Sequence, residues 1–250
     1  MDMNEVVKNA AAHNWLQSLR LTEDFVTMGA KSEERLLREE AALFDPLNLS
    51  GATLLEVGAA NGYFSFAALR RGAAQALATD HLAWTLPGTD GEAATRFATS
   101  MLGLDVPTMV LDPRSLSADF GRFDIVLATA CFEQIFNPVM ALRGLRSVTG
   151  RVLLLETLQG ALGEARPMMQ ATDVHQAYGG PSGSLVPGWA PNPPLVMGLL
   201  LELGFDRILY RHHPTLGAVR AIYAALLPGA PTTAPEWFGE DWCNMTHPRA

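Results

Sequence analysis

Lysine is nearly absent from this chain. Lys8 and Lys31 are the only two in 250 residues, so the positive charge is almost all arginine, and the net charge is -8. Proteins that bind nucleic acid neutralise phosphates with a basic face. The short runs Arg70-Arg71 and Arg211-His212-His213 are too small to form one, which disfavours a nucleic-acid partner. Cysteine is scarce too. Cys131 and Cys243 alone exclude a disulfide framework and a cysteine-rich zinc cluster, and they fit a reducing cytoplasm. The adjacent His212 and His213 diverge along a strand and have no suitably spaced third ligand, so no metal is expected. No apolar run approaches the ~20 residues of a membrane span. The polar start, with Asp2 and Glu5 ahead of Lys8, does not read as a secretory signal.

What the chain does have is enough apolar residue, 48%, to bury a large core. Glu5 to Arg20 reads as an amphipathic helix with Val6, Val7, Ala10, Trp15, Leu16 and Leu19 along one stripe, and Leu21 to Ala30 as a loop. Ser32 caps a helix running to Phe44, with i,i+4 pairs Glu34–Arg38 and Arg35–Glu39. Beyond Gly51 strands and helices alternate. Strands are expected at Thr53–Val57, Gln75–Thr79, Thr108–Leu111, Phe123–Ala128 and Arg151–Glu156. Helices are expected at Tyr63–Arg71, Gly91–Leu102 and Pro138–Val148. Such alternation implies an α/β fold with a parallel sheet covered on both faces. Residues 157–194, rich in Gly, Pro and Met, read as a substrate-facing insertion. A helix at Leu195–Leu203 follows, ended by Gly204, then an antiparallel pair at Arg207–Arg211 and Val219–Leu227. The organisation expected is an N-terminal helical arm or lid over 1–50, a cofactor-binding domain over 51–227, and a tail over 228–250 docked by Trp237, Phe238 and Trp242.

The chemistry centres on Thr53-Leu54-Leu55-Glu56-Val57-Gly58-Ala59-Ala60-Asn61-Gly62-Tyr63-Phe64. An apolar strand ends in an acid and turns through glycines into a helix. Gly58 and Gly62 let the backbone approach a ligand, and the helix N-terminus offers N–H groups to an anion. Asp80 follows the second strand, where an acid accepts hydrogen bonds from ribose hydroxyls. Asp112 and Thr129 fall at the carboxyl ends of later strands, the edge where such sheets bind ligands. A dinucleotide loop wants G-x-G-x-x-G, and Ala60 breaks that pattern, which weakens the reading as a nicotinamide oxidoreductase.

The form E-x-G-x-x-x-G at Glu56–Gly62, Asp80, Leu111-Asp112-Pro113 and Phe123-Asp124 together resemble class I S-adenosylmethionine (SAM) methyltransferases. That resemblance implies a Rossmann-like sheet, mostly parallel with an antiparallel last strand, and SAM as cofactor. It implies Glu56, Gly58, Ala59, Ala60, Asn61 and Gly62 around the methionine part, Asp80 on the ribose, and His81 and Asp112 beside the adenine. A closer likeness is carried by Trp15-Leu16-Gln17-Ser18-Leu19, Phe25-Val26-Thr27-Met28-Gly29, the segment Phe123 to Pro138, and Leu153-Leu154-Leu155-Glu156-Thr157. These are similar to a subfamily related to the tRNA wobble-uridine carboxymethyltransferase, whose preamble brings Trp15 and Thr27 to the cofactor. The chain departs from that pattern with Gln17 in place of a preamble His and Glu133-Gln134 in place of Tyr-His. The expectation is therefore methyl transfer to a small-molecule acceptor, at O or N. A tRNA-modifying (carboxy)methyltransferase and a non-catalytic SAM-fold binding protein are the alternatives. A homodimer is left open. The candidate bases are His175 and Tyr178 in the insertion and Glu133 after the fourth strand, with Glu156 behind them.

Overall fold

A computed structural model describes residues 2–86, 88–173, 187–230 and 241–245. Within it the chain separates into two units, residues 1–112 and 113–250.

In the first unit, helix α1 covers Met3–Ala10 and helix α2 covers Glu33–Phe44, the latter capped by the Ser32 hydroxyl on the Arg35 N–H. Both expected i,i+4 pairs of α2 are made, Arg38–Glu34 at 2.7 Å and Arg35–Glu39 at 2.7 Å. Three parallel strands follow: β3 (Thr53–Val57), β4 (Gln75–Asp80) and β5 (Thr108–Val110), with β4 in the middle. Helix α3 (Tyr63–Arg70) packs on β3 and β4. The short α4 (Leu82–Thr85) and α5 (Gly91–Leu102) complete the unit. Leu54, Leu55, Phe64, Phe66 and Ala78 are fully buried, as strands covered on both faces require.

The long first helix does not form. It stops at Ala10, and residues 13–31 make an extended strap that includes a small hairpin, β1 (Arg20–Thr22) with β2 (Phe25–Val26). The apolar stripe satisfied helical spacing, but the backbone of Asn14, Leu16 and Gln17 finds tertiary acceptors instead of its own i-4 carbonyls. The Asn14 N–H donates to Asp90 at 2.9 Å, and the Leu16 and Gln17 N–H groups donate to Asn61 Oδ1 at 2.7 and 3.0 Å.

In the second unit, β6 (Phe123–Thr129) pairs parallel with β7 (Thr149–Leu158), with α6 (Pro138–Val148) between them in sequence. The antiparallel pair β10 (Arg207–His213) and β11 (Gly217–Leu226) joins through β11 to β7. The three strands β3 to β5 of the first unit are all parallel, and the second unit pairs parallel strands with the expected antiparallel end. Helix α7 (Pro193–Glu202) is capped by Asn192, whose Oδ1 accepts from Leu195 N at 3.1 Å. The two-residue β12 (Cys243–Asn244) lies on the outer edge of β10, beside the buried Trp242. The irregular insertion is more ordered than its composition implied. Met169–Asp173 (β8) and Pro187–Pro191 (β9) form an antiparallel ribbon. Of the tail's other anchors, Trp237 and Phe238 lie outside the described residues.

The tightest packing of α6 is at Gly144, where an added Cβ would sit 2.1 Å from the Pro113 carbonyl oxygen. Gly144→Ala should therefore lower stability by about 2 kcal/mol or more. That corresponds to a fall of roughly 5 °C in Tm by calorimetry. Gly198→Ala in α7, with open space around it, should leave Tm unchanged or raise it.

Candidate functional site

Strand β3 carries Glu56 next to its last residue, Val57, and the turn from Gly58 to Gly62 carries the chain into α3. Three residues there hold positive φ: Gly58 at 84°, Ala60 at 52° and Gly62 at 81°. Ala60 occupies a region that disfavours a Cβ, and its surroundings enforce it. Its N–H donates to Asp80 Oδ2 at 3.0 Å, and its carbonyl accepts from the Trp84 indole at 2.7 Å and the Thr95 hydroxyl at 3.3 Å. Gly91 is needed for the same contact, since a Cβ there would meet Trp84 at 2.7 Å and the Ala60 carbonyl at 2.9 Å. The N–H groups of Gly58 and Ala59 are both taken by the Thr79 carbonyl.

The anion site expected at the α3 N-terminus is already filled by the protein. The N–H groups of Asn61 and Tyr63 both donate to Gln17 Oε1, each at 3.1 Å. Gln17 reaches them from the strap, where it is 2% exposed. Asn61 returns the contact by accepting the Leu16 and Gln17 N–H groups. The residues of the preamble hold this clasp in shape. Thr27 accepts the Leu19 N–H at 2.9 Å, and Gly29 lies so close that a Cβ would come within 2.5 Å of the Gln17 backbone. Thr27 is thus a buried brace of the strap. Trp15 is half-buried, donates to the Ala10 carbonyl at 2.8 Å and lies beside His13 and Phe97. The strap is fastened further by His13 Nδ1 against Asp90 Oδ2 at 2.8 Å.

Asp80 differs from the sequence expectation in its bonding. The sequence places it at the strand end as an acceptor for ribose hydroxyls. In the structure it is 5% exposed, and its two oxygens take the N–H groups of Ala60 and Ala83 at 3.0 and 2.9 Å. Burial pushes its pKa up, and those amides pull it back. Glu56 is fully buried. Its Oε2 accepts from the Ser65 N–H at 2.8 Å and the Ser65 hydroxyl at 2.5 Å, while Oε1 has no hydrogen-bond partner. Burial, aided by the charge of Asp80 and opposed by Ser65, pushes Glu56 up to about 7. His81 and Asp112 sit close by, Nε2 to Oδ2 at 3.9 Å. Glu56, Asp80 and Asp112 bring three carboxyl groups to the strand ends, and no cation is among the hydrogen-bond partners of Glu56 or Asp80 within the described residues. A buried Glu56 oxygen without a hydrogen-bond partner, and a buried Asp80 with only amide donors among its hydrogen bonds, suit a ligand bearing ammonium and sulfonium charges, so the residues fit SAM.

In the second unit, Thr129 is buried at the end of β6 and pairs in register with Glu156 of β7. Glu133, offered above as a base, is fully buried in an ion cluster and cannot meet a substrate in that state. Arg220 of β11 donates to Glu133 Oε1 at 2.6 Å, to Glu156 Oε2 at 3.0 Å and to Glu156 Oε1 through Nε. Thr157 donates to Glu133 Oε2 at 3.0 Å, and Ala130, at φ 54°, donates its N–H to Glu156. His175 and Tyr178 lie outside the described residues. Among the described residues no group of three His, Cys, Asp or Glu side chains is placed to hold a metal, and no helix is long and apolar enough to cross a membrane.

No protein-family model matches the chain, and no curated protein sequence matches it. Solved structures do. The N-terminal domain of EvdMO1, crystallised in the presence of S-adenosylhomocysteine (SAH) and D-fucose, superposes with a TM-score of 0.66 at 18% identity. The likeness covers 90% of this chain and 96% of that one, but 48% of the full EvdMO1 chain. The magnesium protoporphyrin IX methyltransferase of Synechocystis PCC 6803, with SAH bound, matches over 78% of this chain and 82% of its own at 18% identity and TM-score 0.56. An S-adenosylmethionine-dependent methyltransferase from Mesorhizobium loti matches over 76% and 97%, at 15% identity and TM-score 0.58. The chain has the class I methyltransferase fold. The narrower likeness to the wobble-uridine subfamily finds no counterpart among these structures.

Two predictions follow from the buried charges of this fold. Without ligand, the folded protein keeps the Glu56 proton to about pH 7, whereas at its ordinary value of 4.5 the unfolded chain has already lost it. Between those values the native state binds more protons, so raising the pH costs stability, by about 3 kcal/mol across the window. Denaturant melts from pH 4.5 to 8 should show this slope, and Glu56→Gln should flatten it. Arg220→Met removes the guanidinium that Glu133 and Glu156 share and should cost about 3–5 kcal/mol. Adding Glu133→Gln should recover part of that loss in the same urea titration.

Proposed function

We propose that this protein is an enzyme that moves a methyl group from SAM to a small-molecule acceptor, at oxygen or nitrogen. The observation that carries the reading is the pair of buried carboxyl groups Glu56 and Asp80 beside the glycine turn, held by hydroxyl and amide donors with no cation among their hydrogen-bond partners within the described residues, on a fold otherwise seen with SAH bound. Glu56 and the turn Gly58, Ala59, Ala60, Asn61 and Gly62 would hold the methionine portion. Asp80 would face the ribose, and His81 and Asp112 the adenine. Trp15 would border the same cofactor.

The bound cofactor supplies a methyl carbon made electrophilic by positively charged sulfur. The protein's task is mainly to bring the acceptor into line with that carbon and to keep water away. Carboxylates around the cofactor favour its cationic form electrostatically. A hydroxyl or carboxyl acceptor also needs its proton held or removed. With Glu133 committed to Arg220 and Thr157, that role is assigned to His175 or Tyr178.

The net charge of -8 and the shortage of lysine support a small molecule over tRNA. EvdMO1, whose N-terminal domain was crystallised in the presence of D-fucose, makes free sugars with open hydroxyls the first acceptors to assay. Calorimetric titration should give saturable heat with SAM and SAH and none with NAD. Asp80→Asn should weaken SAH about tenfold, which is about 1.4 kcal/mol. Saturating SAH with no heat would reject the reading.

A further inference from the structure

The glycine turn does not stand alone. Its two helix-terminal N–H groups are satisfied by a side chain 44 and 46 residues earlier in the chain. We propose that Gln17 is a positioning residue for the cofactor: its carboxamide oxygen sets the shape of the turn from Ala60 to Tyr63, so that cofactor binding depends on the strap being seated. This deepens the methyltransferase reading and rests on it.

Three observations converge. First, one oxygen serves both N–H groups, each at 3.1 Å, from a side chain that is 2% exposed. Second, the contact is reciprocal. Asn61 Oδ1 accepts the Leu16 and Gln17 N–H groups at 2.7 and 3.0 Å, and Asn61 Nδ2 donates to the Asn14 carbonyl at 3.3 Å. Turn and strap therefore seat or leave together. Third, the strap is built to hold Gln17 in place. The Ser18 N–H donates to the Lys31 carbonyl at 2.9 Å, the Lys31 N–H to the Leu16 carbonyl at 2.7 Å, and the Gly29 N–H to the Ser18 hydroxyl at 3.0 Å. Gly29 is the residue that lets these two passes of chain approach. The turn itself is strained at Ala60, so its conformation needs outside support. Gln17 supplies that support on one side, as Asp80 and Trp84 do on the other.

The test separates the acceptor role from mere packing. Gln17→Met keeps the volume and removes the carboxamide oxygen, whereas Gln17→Glu keeps an oxygen able to take both N–H bonds. Residue-resolved amide exchange at Asn61 and Tyr63, and calorimetry with SAH, are run on the full-length protein. Gln17→Met should speed exchange at those two amides and weaken SAH at least tenfold. Gln17→Glu should keep them protected and hold SAH within a few-fold of wild type. SAH binding by Gln17→Met equal to wild type overturns the positioning role alone. Loss of SAH by Gln17→Glu with both amides still protected does so too, and it decides the matter if Gln17→Met does not fold. Wild-type protein that takes up no SAH removes the methyltransferase reading and this role with it.

Discussion

The exchange of hydrogen bonds between Gln17 and Asn61 ties the least regular part of the first unit to its most regular part. On one side is a strap without helical ladders of its own. On the other is a strand–turn–helix of the kind that Rossmann-like sheets use to hold a cofactor. A backbone that leaves the helix must place its N–H groups elsewhere. Here the Leu16 and Gln17 amides go to Asn61, and the Asn61 and Tyr63 amides go to Gln17. Four donors that would otherwise face water or a ligand are satisfied within the protein. The irregular segment is thereby as well determined as a strand.

Charge follows a different logic in the two units. In the first, Glu56 and Asp80 are buried against hydroxyl and amide donors with no cation among those partners, so burial raises both and a bound cation would favour their charged forms. In the second, Glu133 and Glu156 are buried against a guanidinium. The first arrangement keeps an electrostatic attraction available for an incoming cation. The second uses its charge up in fixing the segment after β6 to β7 and β11. A carboxylate in a cleft is an acid–base candidate only in the first kind of setting, which is why Glu133 reads so differently in sequence and in space.

The regular elements were legible because their signals are local. Helix α5 spans Gly91–Leu102 and α6 spans Pro138–Val148, as the alternation of strands and helices led one to expect. The strands ending at Val57 and near Asp80 were equally plain. The strap was not, because Val6 to Leu19 satisfies a helical stripe and nothing local shows that Asn61 will compete for its amides. The β8–β9 ribbon was hidden by a sequence of Met, Gln, Pro and Gly without alternation. Arg220 escaped notice because its partner Glu133 is 87 residues away. Gln17 left one trace, as a departure from the His of the preamble it resembles. Its role follows from where its oxygen lands.

The short strand β12 has its own consequence. An outer strand exposes a row of unpaired N–H and C=O groups, a template on which another chain can add. Cys243 and Asn244 cover that row at Leu209 and Tyr210, its apolar middle, while Arg207, Arg211 and His212 flank the covered stretch. Two residues of pairing, with arginine on either side of them, leave this rim little free edge on which another molecule could be stitched.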